Sequence, residues 1–555
     1  MAETAGASDV SDGVAAEQAT RAREGLFLRR SSGLVREIGV RDTFGIGAGI
    51  LVVMGTFSGY AIFMQLLPGT DYYVAIVVGA IISIFLALTY SQLVTTFPRS
   101  GGEFIYASRV FTPLLGAMVG GAVLVAILLN GANTAVQISQ IYLPFSLDAI
   151  GHALGWSGLS HFGQVDLIKH TPAFLTGTAT LLLIAWICTR PVHTAARIVF
   201  WTFAVGMVAF AVVVLELVLH SRADFRGAFD HLSHHPGAYG QIVTSAKAHG
   251  YHPGIVGSAV FAALPLGALI YSGFSFANYA GGELKRPART YKIAVVGAVA
   301  FAVVGATVAW AAMRHAAGLH WMQSAANLSA AHPDDYGKIT PLPPFQGGLA
   351  YALILSGDPV TKIVMAVGVI AAFFANGLGY FLLASRVVFA LSFDRLLPSK
   401  VADVREKTHA PIYAVVLVFT GTLALTALGD YTSLITLFRN LVLVVYCIFV
   451  IGCLTAVFLP WRRRDLYDAS PKLFSGRWLG VPPITVLAAA GAISFAVMAY
   501  LIAVKPAYSG GYSWDSILTL ALTSTIGLVA YVISRFSLRR RGVDLDMAMR
   551  ELPPE

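Results

Sequence analysis

The chain is a succession of long apolar runs separated by short polar ones. A helix crosses a bilayer core with about 20 apolar residues. Twelve runs reach that length: about 42–66, 72–97, from within 98–109 to about 143, 172–189, 194–219, 254–280, 291–313, 360–391, 411–428, 433–459, 481–504 and 514–534. They are numbered spans 1 to 12 below. Pro98, Pro191, Pro398 and Pro460 stand at run ends, where helices stop.

Two spans interrupt their own pattern. Span 1 carries Gly55-Thr56-Phe57-Ser58-Gly59 at its middle, and span 6 carries Tyr271-Ser272-Gly273-Phe274-Ser275. Glycine is a poor helix former, and non-helical backbone at membrane depth persists only where protein covers it or a cavity receives it. Paired interruptions in corresponding spans of two halves point to the binding site of a secondary transporter. A broken helix offers free N–H groups at one new end and free carbonyls at the other. The N–H groups of about Thr56–Gly59 suit a carboxylate, and the carbonyls of about Tyr271–Gly273 suit an ammonium. A plainer reading also exists. Gly55 and Gly59 have small-xxx-small spacing and would serve close helix packing; Phe57 and Phe274 are either gates or ordinary core.

Composition agrees with a membrane protein. The 555 residues are 56% hydrophobic and 12% charged, with mean hydropathy +0.71, whereas soluble domains carry about 25% charged residues. The formal charge of +9 is explained by its distribution rather than by nucleic-acid binding. With the N-terminus placed in the cytoplasm, Arg21, Arg23, Arg29, Arg30, Arg36 and Arg41 precede span 1 on the inner side, and most other Lys and Arg residues fall on that side too. The outer side holds only Lys169, Arg222, Arg226, Lys247, Arg314, Lys338, Lys362 and Lys505. This asymmetry predicts a multi-pass protein of the plasma (inner) membrane with both termini cytoplasmic. Residues 1–33 lack an apolar core and read as a disordered tail rather than a signal peptide. Cys188, Cys447 and Cys453 lie in or beside apolar runs, so packed thiols are expected and no disulfide framework.

Of the 14 histidines, only His193 and His409 fall on the inner side. The others decorate three long outer connections, about 144–171, 220–253 and 314–359, which are candidate lids and candidate pH-responsive surfaces. His231, His234 and His235 have metal-ligand chemistry but no evident partner ligand, so no metal and no cofactor is predicted. No nucleophile–base pair or phosphate loop stands out, so the chain does not read as an enzyme.

Three motifs carry a family resemblance. Pro98-Arg99-Ser100-Gly101-Gly102-Glu103-Phe104-Ile105-Tyr106 resembles the Pro-x-Ser-Gly-Gly-x-Tyr-x-Tyr signature of the amino acid–polyamine–organocation permeases. Glu283-Leu284-Lys285-Arg286-Pro287-Ala288-Arg289 resembles their loop after span 6. Ser385-Arg386 with Asp394-Arg395-Leu396-Leu397-Pro398 resembles their loop after span 8. The resemblance implies an all-α membrane protein with the LeuT-type fold: 12 transmembrane helices, a 5+5 inverted repeat and two peripheral helices. The repeats would be 34–219 and 254–459, with outer connections 220–253 and 314–359, then spans 11–12 within 460–534 and a cytoplasmic tail 535–555. It also implies a substrate held at the two interruptions.

Two departures from the family bear on cargo. Phe57 stands where glycine is usual, and Ser275 where relatives carrying cations place an acid. A neutral amino acid is therefore the favoured small-molecule substrate. Asn130, Asn133 and Asn376 are polar at membrane depth and must face partners or a cavity; Asn130 and Asn376 are candidate pocket groups. Glu216 is a candidate for coupling to a co-transported proton. Span 5 has no mid-helix Lys, and span 8 has no Ser or Thr between Thr361 and Ser385, so neither a proton nor a sodium route of the kind those relatives use is spelled out. The alternatives are an ion or inorganic-solute transporter on the same fold, and a membrane sensor or scaffold.

Overall fold

The computed structural model describes residues 33–52, 60–342, 347–431, 441–504 and 514–550. The expected N-terminal tail and the Gly55–Gly59 interruption lie outside them. Eleven helices among the described residues are long and apolar enough to cross a membrane. Span 1 is not among those eleven because its middle is outside the description; its flanks are helices Val40–Val52 and Tyr60–Leu66. The other spans sit close to the runs predicted for them. Span 2 is Tyr73–Thr96, span 4 His170–Cys188, span 5 Val192–Leu219 and span 7 Pro287–Ala316. Spans 8 to 12 are Pro359–Phe393, Ile412–Tyr431, Leu441–Arg462, Pro483–Val504 and Trp514–Arg539. Such a set, with Leu175, Val208, Val304, Ile493 and Ile533 exposed along it, is that of an integral membrane protein.

Span 3 differs from its predicted bounds at both ends. Glu103–Val110 is a separate, wholly buried helix. The backbone turns at Phe111 and restarts at Thr112, whose hydroxyl accepts from Leu115 N, with Pro113 in the first turn. Helix then runs from Pro113 to Ala153, ten residues past the expected end, through a π-turn at Ile138–Tyr142. That turn absorbs Pro144 without breaking the helix, because its ring falls in the first turn of the next α segment.

Glycines set the closest helix contacts. A side chain on Gly267 of span 6 would run into the Ala75 carbonyl of span 2, and one on Gly79 into the Gly267 backbone. Spans 2 and 6 therefore touch backbone to backbone. The apolar stretch of span 6 is the most enclosed, 72% buried, and that of span 12 the least, 22%. Span 12 rests on span 3, and span 11 on spans 10 and 2, which puts both at the periphery.

The three long connections are helical. The second carries Arg222–Leu232, which opens with a Ser221/Asp224 capping box, and Ala238–Ala248. The third carries Leu319–Ala331, Pro333–Ile339 and Gly347–Leu355. The second and third pack through one aromatic cluster. Trp321 stacks on Tyr239 at 5.3 Å and meets Phe225, Phe229 and Tyr351 edge-on.

Candidate functional site

Span 6 is an α-helix only from Gly257 to Ser272, and from Gly273 to Tyr279 it tightens into a 3-10 helix. The change falls inside the predicted interruption. Two features loosen the helix ahead of it. Pro265 supplies no N–H, and its carbonyl accepts from the Tyr446 hydroxyl of span 10. Tyr271, Ser272, Gly273, Phe274 and Ser275 are all buried. Ser272 Oγ turns back to the Leu269 carbonyl at 3.0 Å. The Ser275 carbonyl, released from α-helical pairing, accepts from Tyr291 Oη of span 7 at 3.2 Å. Ser275 Oγ is buried and has no hydrogen-bond partner among the described residues. An unpaired buried hydroxyl costs about 1–3 kcal/mol, so Ser275 Oγ, like Asn278 Oδ1 further along the same span, stands to gain from a partner.

Span 1 lies directly against this stretch. A Cβ on Gly47 would meet Phe274 Cβ at 3.5 Å. Near the end of the Val40–Val52 helix, the Ile50 carbonyl is held by Asn376 Nδ2 of span 8 at 3.0 Å, and Asn376 Oδ1 accepts from Thr134 of span 3 at 2.9 Å. Asn376 thus joins three spans near the end of the Val40–Val52 helix. Asn130 does less: its amide returns to the Ala126 carbonyl of its own helix at 2.8 Å. Glu216 stays near the end of span 5 beside His220, whose Nδ1 lies 3.4 Å from its carboxylate; no contact carries it to Ser275 or Asn376. An apolar hollow of about 490 Å³ between spans 5 and 7, lined by Met207, Phe210, Phe301 and Val308, offers a polar solute nothing to bind.

The three sequence motifs meet beneath the site. Gly101 and Gly102 have φ of +112° and +51°, which other residues adopt only with strain. A Cβ on Gly101 would lie 2.6 Å from Ala390 of span 8, and one on Gly102 would strike Tyr279. The turn delivers Glu103 into a buried niche, where its Oε1 accepts from Tyr90 Oη at 2.7 Å and Asn278 Nδ2 at 3.3 Å. Burial pushes the Glu103 carboxyl above its ordinary range, and those donors pull the other way.

Glu283 takes Arg386 of span 8 in a two-pronged ion pair, both bonds 2.9 Å, and both side chains are buried. Arg109 reaches Asp394 at 2.6 Å, also buried. Sequence reasoning finds these motifs but gives Glu103, Glu283, Arg386 and Asp394 no role. Charged groups inside glycine-rich or apolar stretches are the available signal, and only the fold pairs them.

Eleven membrane-length apolar helices among the described residues, one of them passing from α to 3-10 within its buried stretch, make this a multi-span integral membrane protein. The sequence pattern of the amino acid permeases matches residues 38–529, and the chain belongs to that family. It is 22% identical over 438 residues to the Asc-type amino acid transporter 1 of Mus musculus, covering 78% of this chain and 72% of that protein. To the large neutral amino acids transporter small subunit 2 of Oryctolagus cuniculus it is 25% identical over 450 residues, 78% of this chain and 71% of the other. A shorter match, 38% over 87 residues, joins it to an uncharacterized protein of Sulfolobus islandicus rod-shaped virus 1; it spans 15% of this chain and only about a fifth of the viral protein, 21%. Permease membership makes the chain a transporter rather than an enzyme.

Proposed function

We propose that this permease moves a neutral amino acid across the plasma membrane by alternating access. Both termini are cytoplasmic, and spans 1–5 and 6–10 form the inverted repeats of a LeuT-type fold. The substrate carboxylate sits on the N–H groups of Thr56–Gly59 and its ammonium on the carbonyls of Tyr271–Gly273, with Ser275 Oγ as a further partner and Asn376 bracing the rim. The carrying observation is the α-to-3-10 change at Gly273, fully buried and packed against span 1. Phe57 and Phe274 bound the side-chain pocket, and the absence of a carboxylate at position 275 favours uncharged cargo, in keeping with the name of one relative, a large neutral amino acids transporter.

The test is uptake of labelled neutral amino acids by reconstituted vesicles, with and without a proton or sodium gradient, beside a ligand-shift panel that includes alkali cations. Gly273→Leu should insert normally and lose uptake. Uptake at the wild-type rate in that variant sinks the site, and stabilisation by alkali cations alone replaces the amino acid with an ion.

A further inference from the structure

The fold brings together two histidines and an aspartate that are far apart in the sequence. His249 caps the C-terminus of the Ala238–Ala248 helix. His332 lies at the joint between helices Leu319–Ala331 and Pro333–Ile339, and Asp335 is in the first turn of the latter. One ligand atom from each lies within 4.8 Å of the other two. The two imidazole rings are 4.0 Å apart, 30° from parallel. His249 Nδ1 is 2.9 Å from the Ser245 carbonyl, which can only accept, so Nδ1 carries a proton. Its other nitrogen, Nε2, faces Asp335 Oδ2 at 3.1 Å. Two lone pairs would repel at that distance, so a cation belongs there: either a second proton on the ring or a metal ion.

We propose that His249, His332 and Asp335 bind a divalent transition metal of the zinc class. Two imidazoles and a carboxylate suit Zn²⁺, and a backbone carbonyl orienting the distal ring nitrogen is the usual support for a ligating histidine. At Zn²⁺ bond lengths, tetrahedral donors stand about 3.3 Å apart. The three side chains are exposed or half-buried, so side-chain rotation closes the gap, and water fills the fourth position. Asp335 keeps its other oxygen for Lys338 at 2.8 Å.

The ion would clasp the connection between spans 5 and 6 to the one between spans 7 and 8. Leu319–Ala331 also reaches the residues flanking spans 1 and 6: Gln323 donates to the carbonyls of Thr70 and Gly254 at 3.4 and 3.2 Å. Bound metal therefore stiffens the cap that spans 1 and 6 must move against, and slows transport.

Zn²⁺ titration of metal-stripped, full-length protein in detergent tests this, with Co²⁺ substitution to show visible d–d bands. One ion per chain is expected, with affinity reduced at least tenfold in His249→Gln and in His332→Gln, and unchanged when His231, His234 and His235 are all Gln. Zn²⁺ should also protect His249 and His332 of the wild type from carbethoxylation, a readout that needs no variant to fold. Lack of Zn²⁺ binding, binding that survives both single substitutions, or loss of binding in the triple variant instead overturns the assignment, as does unchanged carbethoxylation.

Discussion

Glu283→Gln isolates what the buried ion pair does. Arg386 has no exposed surface, and Glu283 answers it with two parallel bonds of 2.9 Å. The substitution leaves the guanidinium buried, with Ser385 Oγ at 2.8 Å and a neutral amide in place of its counter-charge. Removing one partner of such a pair costs about 3–5 kcal/mol, because the remaining charge stays desolvated. At about 1.4 kcal/mol per factor of ten, the folded-to-unfolded ratio falls by roughly two to three and a half orders of magnitude. Arg386→Leu should cost a similar amount by leaving the carboxylate alone. In the cycle built on Glu283→Leu and Arg386→Leu, the double replacement should cost far less than the two singles together, because no charge is then stranded. Denaturant unfolding in detergent, followed by fluorescence, reads all four states of the cycle. Arg464–Asp468, an exposed pair at 3.2 Å, is the control whose loss should leave the curve unmoved. A Glu283→Gln protein within about 1 kcal/mol of wild type, or strict additivity in the cycle, would refute the reasoning.

Asn376→Ala strands the Ile50 carbonyl, so about 1–3 kcal/mol of stability and most uptake should be lost; full uptake at normal expression would remove Asn376 from the site. Gly267→Val drives a side chain into the Ala75 carbonyl and should abolish the folded monodisperse protein in size-exclusion chromatography. Glu103→Gln tests the buried carboxyl. Its folded pKa is raised, so its contribution to stability is present at acid pH and is lost as pH rises through that value. The melting temperature of the Gln variant minus that of wild type should therefore grow as pH rises above about 4; a flat difference would contradict the burial argument.

Much of this was legible in the sequence, and the reason is physical. Lipid forces each crossing to be a long apolar helix, so the spans show as runs, and most bounds hold within a few residues. Span 3 was the exception, because Glu103–Val110 is buried in protein rather than lipid and its charges are paired, so hydropathy reads it as the start of a crossing. The span 6 interruption was visible because Ser-Gly-Phe-Ser departs from the local pattern. The uses of Glu103, Glu283 and Arg386 were not visible: Glu283 and Arg386 stand 103 positions apart, and Glu103 meets Asn278 175 positions on as well as Tyr90 on the preceding span, pairings about which periodicity carries no information. The histidine triples show the same limit. His231, His234 and His235 stand together in the sequence, yet the cluster that forms joins His249 to residues of a different connection.

The three family motifs read as separate signatures, but in space they make one floor. Gly101 and Gly102 let Glu103 and Tyr279 approach; Glu283 ties the end of the span 6 segment to Arg386; Arg109 ties the short helix after span 2 to Asp394 at the end of span 8. Two buried ion pairs are a costly way to hold two loops together, since well-packed apolar residues do so at least as well. What charge pairs add is an arrangement with no half-made state: either both bonds form and the loops are locked, or water must reach both groups. Under the alternating access proposed above, a floor beneath the span 6 segment would have to open, and it has a use for that property. Breaking the Glu283–Arg386 pair should then bias the protein toward the state open on this side, so that a cysteine at Ser272 labels faster in Glu283→Gln than in wild type. Equal labelling rates would reduce the pair to a fastener.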